Sequence, residues 1–275
     1  MAGSFVLTAI SCEPEVVRAA DAAGVDRIGI DIERLGKDLR QDRAAGDRFS
    51  DHRLDDLRTV AANARRARIF IRINPLHPDT PREIDSALAC GAQVIMLPYF
   101  KSATEASRFL DLVDGRAETV LLVETAEAAA RIGEIATLPG ATEIMVGLND
   151  LRRSLGLAHP FEVLASDTMA KVAGEVARAG LRFGFGGVAR ADDDGLAIPP
   201  SLVHAHYPLL GGTSAWLARS FYRGLSPMHI PEAVRRLRGD LEGWFTQPTA
   251  ALEQAREQLS ALLATGRTTG QGRDT

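Results

Sequence analysis

Eight short apolar runs recur along the chain, separated by stretches with helical spacing, and this alternation constrains the fold more than any other feature. The runs occupy 5–10, 27–32, 69–73, 93–97, 120–124, 144–147, 181–187 and 212–217. Short runs of β-branched and aliphatic residues bounded by turn residues read as strands buried on both faces. Between them lie segments whose apolar residues share one helical face, such as Val16, Val17, Ala20 and Ala23 before Gly24, or Leu54, Leu57, Val60 and Ala61. Further helices are expected over 81–90, 105–113, 126–138, 161–179 and 199–207. Strands alternating with helices form βαβ units and a parallel sheet. Eight such units favour closure into a (β/α)8 TIM barrel over an open sheet, and 275 residues suit one barrel. The first strand–helix turn carries no Gly-x-Gly-x-x-Gly, which argues against a dinucleotide fold. The cluster Phe183-Gly184-Phe185-Gly186-Gly187 reads either as a tight strand end or as a backbone cradle for an anion.

The barrel is expected to fill 1–225. A helical extension over 226–265 comes next, with Val234, Leu237, Leu241, Trp244 and Phe245, then Leu252, Leu259, Leu262 and Leu263, divided at Pro248. It is amphipathic and lies outside the eight-fold count, so it covers a barrel end or packs on a neighbouring subunit. The polar, glycine-rich tail 266–275 reads as disordered. One connection, 34–50, is long and charged with no apolar period, which marks it as functional or mobile.

Several runs stop on charge. The fifth ends at Glu124, the sixth leads into Gly147-Leu148-Asn149-Asp150, the second closes on Asp31 and Glu33, and the third carries Arg72. In a parallel barrel these positions fall at the carboxyl rim, where ligands bind. Glu124 and Asp150 would converge there as oxygen ligands for a hard divalent cation; read singly, Glu124 caps the next helix and Asp150 sits in a turn. An arginine in an apolar run is costly without a counter-ion, so Arg72 must reach one.

The formal net charge of −4 and the lack of a basic stretch interleaved with aromatics give no reason to expect nucleic acid. No segment approaches the roughly 18 apolar residues of a membrane span. Cys12 and Cys90 stand far apart without ligand spacing, which fits buried thiols in a reducing compartment. The beginning of the chain lacks the pattern of a signal peptide, so a cytoplasmic location is expected.

Taken together, Arg72 in IRIN, Met96-Leu97-Pro98, Glu124 in LLVET and Asp150 in GLNDLRRSLG resemble, in order and spacing, the HpcH/HpaI aldolase and citrate lyase β-subunit family over roughly 5–223. That resemblance implies a (β/α)8 barrel, often with the last helix exchanged between subunits of a homo-oligomer. It implies carbon–carbon lyase chemistry beside pyruvate or an acyl-CoA with Mg2+ or Mn2+. By similarity, Glu124 and Asp150 hold the metal, Arg72 binds the substrate's carboxylate or enolate oxygen, and the backbone of Gly147, Leu148 and Asn149 helps hold the carboxylate.

The residue chemistry agrees. A 2-oxo acid chelates a divalent cation through its carboxylate and ketone oxygens, and the cation acts as a Lewis acid. Arg72 adds fixed positive charge where negative charge develops. No lysine ends an apolar run; Lys101 is the nearest candidate for a Schiff base. The pattern departs from the family at Asp31-Ile32-Glu33-Arg34, where the aldolases carry histidine in the position of Arg34. The proton carrier is then His77 or a metal-bound water held by Asp31 or Glu33. Arg34 and Arg40 either bind an anionic group on the aldehyde or form a charged surface loop. The leading expectation is a metal-dependent aldolase acting on a 2-oxo acid and an aldehyde. A CoA-thioester lyase and a non-catalytic metabolite-binding barrel are the alternatives.

Overall fold

The computed structural model describes residues 5–36 and 51–270. Arg40, most of the charged connection 34–50, and residues 271–275 of the tail lie outside them. The strands are β1 (Val6–Ile10), β2 (Arg27–Asp31), β3 (Arg68–Arg72), β4 (Val94–Leu97), β5 (Glu118–Val123), β6 (Glu143–Val146), β7 (Arg182–Val188) and β8 (Ser214–Leu217). Each pairs in parallel with the next, and β8 closes on β1 through the register Val6 to Ser214. The expected (β/α)8 barrel is the fold.

Successive side chains of a strand point to opposite faces, so each strand serves two cores. Outward residues such as Ile28, Ile30, Ile69, Ile71, Leu121 and Val146 pack beneath the helices. Inward residues form a separate apolar layer of Phe70, Val94, Met96, Val120, Leu122 and Met145, with Ile10 and Trp216 beside it. At the amino end of the barrel the inward positions are charged. Arg27 Nη1 lies 2.7 Å from Glu143 Oε2 and its Nη2 lies 3.3 Å from Glu118 Oε2. Glu143 also accepts from Ser214 Oγ at 2.6 Å and faces Arg182 Nη1 at 3.3 Å. With Glu143 fully buried and Arg27 at 3% exposure, the two charges depend on each other to offset desolvation.

The helices match the apolar spacing with several breaks. The expected helix 161–179 is a 3-10 turn, Pro160–Ala165, then a helix, Asp167–Arg178, because Ser166 is extended and caps the second through Met169 N. The segment 51–66 is helical only over Asp56–Asn63, and 126–138 divides into Ala126–Ala130 and Ile132–Ile135. Residues 199–207 likewise become Pro200–His204 and His206–Leu210. After β6 the chain enters the helix Leu148–Ser154, which is too short to show an apolar period in the sequence.

Pro248 divides the C-terminal extension into Ile230–Phe245 and Thr249–Gly270. The first packs on the helix Pro14–Ala22. Its Arg238 donates to Phe5 O at 3.0 Å and Gly24 O at 2.6 Å, tying it to the entrance of β1. The second lies on His206–Leu210, Pro200–His204 and Pro160–Ala165 of the same chain. Its backbone is helical to Gly270. Among the described residues no helix is long and apolar enough to cross a membrane.

Candidate active site

Arg72 ends β3 with its side chain turned inward, in register with Asp31 on β2 and Met96 on β4. Asp31 takes it as a fork, Oδ1 accepting from Nε at 2.9 Å and Oδ2 from Nη2 at 2.6 Å. Bidentate pairing of this kind fixes the guanidinium plane as well as its position. Nη1 then points to Glu33 Oε2 at 3.1 Å and to Glu124 Oε1 at 3.9 Å. The Trp216 ring lies 5.0 Å from Cζ and closes one face of the guanidinium. Burial opposes the charge on Arg72, but Asp31, Glu33 and Glu124 hold its pKa well above the ordinary arginine value. It is a permanent cation.

Glu124 comes directly after β5 and is 4% exposed. It does not cap the next helix; the cap is Thr125, whose side chain accepts from Ala128 N. Glu124 Oε2 instead accepts from Tyr99 N at 3.1 Å. Tyr99, after Pro98, has φ of 48°, a left-handed conformation that costs a side-chain-bearing residue on the order of 1–3 kcal/mol. That strain presents the amide to the carboxylate. On the other side stands Gly147, the cap of Leu148–Ser154, with an ordinary φ of −87°. A Cβ there would fall 2.5 Å from Glu124 Cγ and 2.6 Å from Oε1, so glycine is required by the space Glu124 fills. Asp150 lies in the first turn of that helix and is 7% exposed.

These groups border a cavity of about 940 Å³ at the carboxyl end of the barrel. Asp31, Arg72, Glu124, Gly147, Leu148, Asn149 and Asp150 all line it, and Glu33 joins through Arg72. Two of the expected residues are placed elsewhere. His77 organises the β3 loop: its backbone N donates to Thr80 Oγ1 at 2.8 Å, Nδ1 accepts from Asp79 N at 3.3 Å, and Nε2 lies 3.4 Å from Glu83. It is not among the residues lining the cavity, because the loop turns its ring toward Glu83. Arg34 is exposed, its backbone N held by Asn74 and its Nη2 donating to His52 O at 3.2 Å. Lys101 is exposed as well. A second cavity of about 540 Å³ lies among the C-terminal helices, around Gly239, Gly243, Gln254 and Gln258, away from this chemistry.

Sequence reasoning does not place His52, His159, Trp216 or Tyr222 at the site, yet each lines the cavity. His52 Nδ1 accepts from Asp31 N at 3.3 Å. His159 Nδ1 accepts from Phe161 N at 3.2 Å, within a capping box closed by Glu162. Burial is the main cause that lowers the pKa of His159, with Arg152 adding to it against the pull of Glu162.

Among the described residues no three His, Cys, Asp or Glu side chains converge as a complete metal cage. Glu124 and Asp150 offer two hard oxygen ligands beside one cavity. That donor set fits Mg2+ or Mn2+, which take one or two carboxylates and fill the remaining positions with substrate and water. It does not fit a closed zinc site.

Comparison with known proteins bears on the family and the fold. The description of the HpcH/HpaI aldolase/citrate lyase family matches residues 5–185. No curated protein matches the sequence. Among solved structures, an HpcH/HpaI aldolase/citrate lyase family protein from Burkholderia cenocepacia is similar at 18% identity and TM-score 0.62, covering 84% of this chain and 95% of its own. CitE from Mycobacterium tuberculosis, in complex with magnesium, acetoacetate and coenzyme A, is similar at 19% identity and TM-score 0.59, over 94% and 87%. The citrate synthase SbnG is similar at 18% identity and TM-score 0.58, over 86% and 95%. At such identities the structural likeness speaks to the fold.

Proposed function

This chain belongs to the HpcH/HpaI aldolase/citrate lyase family, and from that premise we propose that it is a divalent-metal-dependent aldolase that forms or cleaves a carbon–carbon bond between pyruvate, or a similar 2-oxo acid, and an aldehyde. The observation that carries the reading is the clamped guanidinium of Arg72. Asp31 and Glu33 fix it while Nη1 faces Glu124 in the cavity that Asp150 also borders. Glu124 and Asp150 would hold the cation, which supplies a Lewis acid for the ketone of a 2-oxo acid.

Arg72 accounts for the other half of the charge. Losing a methyl proton moves negative charge onto the ketone oxygen of the 2-oxo acid, and a fixed guanidinium beside that oxygen stabilises it without reorganising. Asp31 prevents the side chain from following the substrate, so the cation is aimed before substrate arrives. His52, whose Nδ1 accepts from Asp31 N, borders the same cavity and serves as the general acid for the aldehyde oxygen that gains charge as the new bond forms. His77 takes no part in this scheme.

The test is exchange of pyruvate methyl protons for deuterium, monitored by NMR, with Mg2+, Mn2+ or chelator and no aldehyde. Exchange that needs metal and disappears in Glu124→Ala supports the proposal. Metal-independent exchange, or exchange that survives Glu124→Ala, sinks it. The likeness to CitE, whose structure holds coenzyme A, supports the second reading, a CoA-thioester lyase. Metal-dependent cleavage of malyl-CoA without pyruvate exchange would select it.

A further inference from the structure

Arg72 and the carboxylates are only part of the lining of the main cavity. Phe161, Leu196, Ile198, Pro200 and Val203 line it as well and form its apolar side. Phe161, Leu196 and Ile198 are only half-buried, although each borders a concave space. Apolar surface left open in a cavity is stabilised by an apolar occupant. Gly186, near the end of β7, borders the same space. Its φ lies outside the left-handed region, and a Cβ on it would meet nothing within 4 Å. Neither backbone conformation nor packing within the protein demands glycine there; its effect is to leave the cavity open.

Two polar atoms are also unaccounted for. Trp216 Nε1 and Tyr222 Oη are buried and have no hydrogen-bond partner among the described residues, and both residues line the cavity. Leaving a buried donor unpaired costs roughly 1–3 kcal/mol unless a ligand meets it. Burial pushes the Tyr222 pKa up, so the hydroxyl keeps its proton and can donate. The cations beside this cavity, among the described residues, are Arg72 and Arg219, and Arg219 is exposed. Among the described residues, a phosphorylated or carboxylated aldehyde would therefore meet no buried positive charge on the apolar side.

We infer that the apolar side of this cavity receives the carbon chain of an uncharged alkyl or aryl aldehyde, with Tyr222 donating a hydrogen bond to the bound pair. The inference deepens the aldolase reading and rests on it for the reactive group alone. In the addition, the pyruvate methyl carbon loses a proton and bonds to the aldehyde carbon. The aldehyde oxygen takes a proton and becomes a hydroxyl, so no oxidant or reductant enters.

Two measurements separate this inference from the reading beneath it. The first is binding of 1-propanol and 1-hexanol to the full chain, monitored by tryptophan fluorescence, without pyruvate or metal. A gain of about fourfold per methylene, on the order of fiftyfold across three, is expected. Ile198→Asp should flatten that gradient. Equal affinity for the two alcohols, or a gradient unchanged in Ile198→Asp, overturns the inference whether or not the protein is an aldolase. The second is kcat/KM with pyruvate for propanal, hexanal, benzaldehyde and succinic semialdehyde. Hexanal and benzaldehyde should exceed both others, with Tyr222→Phe lowering them by about tenfold. Preference for succinic semialdehyde overturns the inference while leaving the aldolase reading intact. Loss of pyruvate exchange with a retained hexanol gradient overturns only the aldolase reading.

Discussion

Replacing Gly147 with alanine isolates the position of one carboxylate. At φ −87° and ψ 97° alanine is as comfortable as glycine, so the backbone has no reason to move. The added methyl, however, would stand 2.6 Å from Glu124 Oε1 and 2.9 Å from Cδ. Ordinary contacts between such atoms begin near 3.4 Å, so the carboxylate must retreat by about 1 Å. Glu124 is held on its far side by Tyr99 N at 3.1 Å, and retreat strains or breaks that bond. A charge-assisted hydrogen bond contributes roughly 1.5–3 kcal/mol and an off-rotamer side chain costs about 1 kcal/mol, giving roughly 2–4 kcal/mol to be shared between stability and ligand binding. A misplacement of about 1 Å in a reacting constellation costs on the order of 100-fold in rate. We expect Gly147→Ala to fold, to bind Mn2+ about 10- to 100-fold more weakly by titration calorimetry, and to exchange pyruvate protons about 100-fold more slowly. If Mn2+ affinity and exchange both stay within about threefold of the parent, Glu124 is not the metal ligand and the site has been assembled from the wrong carboxylate.

Other consequences can be measured separately. Arg72→Lys keeps a charge but loses the fork to Asp31 and the reach to Glu33 and Glu124. Exchange should fall by at least about 100-fold, and near-normal exchange would show that only net charge matters. At the other end of the barrel, Glu143→Gln leaves Arg27 without its nearest counter-charge. Urea unfolding should show a loss of about 3–5 kcal/mol, with activity per folded molecule unchanged; a loss below about 1 kcal/mol would mean that solvent or Glu118 replaces the pair. His206 is fully buried, and its pKa is lowered chiefly by burial. The folded state therefore resists a proton that the unfolded chain accepts below about pH 6.5. Stability should hold above that pH and fall as the pH drops beneath it, by at most about 1.4 kcal/mol per pH unit for this group. His206→Gln should reduce the slope, and an unaltered slope would assign the acid sensitivity to other groups.

The strands are legible because a strand buried on both faces leaves an uninterrupted apolar run. Arg72, Glu124 and Asp150 are legible for the complementary reason, as charges where such a run ends. The cavity residues that escape notice give no such contrast. Trp216 sits inside the apolar run of β8 and looks like core; only the closure of β8 against β1, which carries it across the barrel to within 5.0 Å of Arg72, shows its place. His52 lies ahead of the first apolar residue of its helical segment and His159 in a segment with no apolar period, and their positions are set by hydrogen bonds to Asp31 and Phe161. His77 misleads because proximity in sequence to Arg72 suggests proximity in space, whereas the loop bonds to Thr80, Asp79 and Glu83 turn it aside. Helix breaks are hard to read for a related reason: apolar spacing continues across Ser166, while the backbone there becomes extended to cap the helix Asp167–Arg178.

The inside of the barrel is stratified, with the Arg27–Glu143 ion network at one mouth, the layer around Phe70, Met96 and Leu122 in the middle, and the Arg72 constellation at the other mouth. Among the described residues the middle layer keeps the two sets of charges from sharing an ion-pair partner. A lineage could therefore exchange carboxylates, shift the cavity wall or alter the acceptor at one mouth while cohesion at the opposite mouth stays as it was. New specificity in such a protein need not be preceded by compensating substitutions elsewhere in the chain.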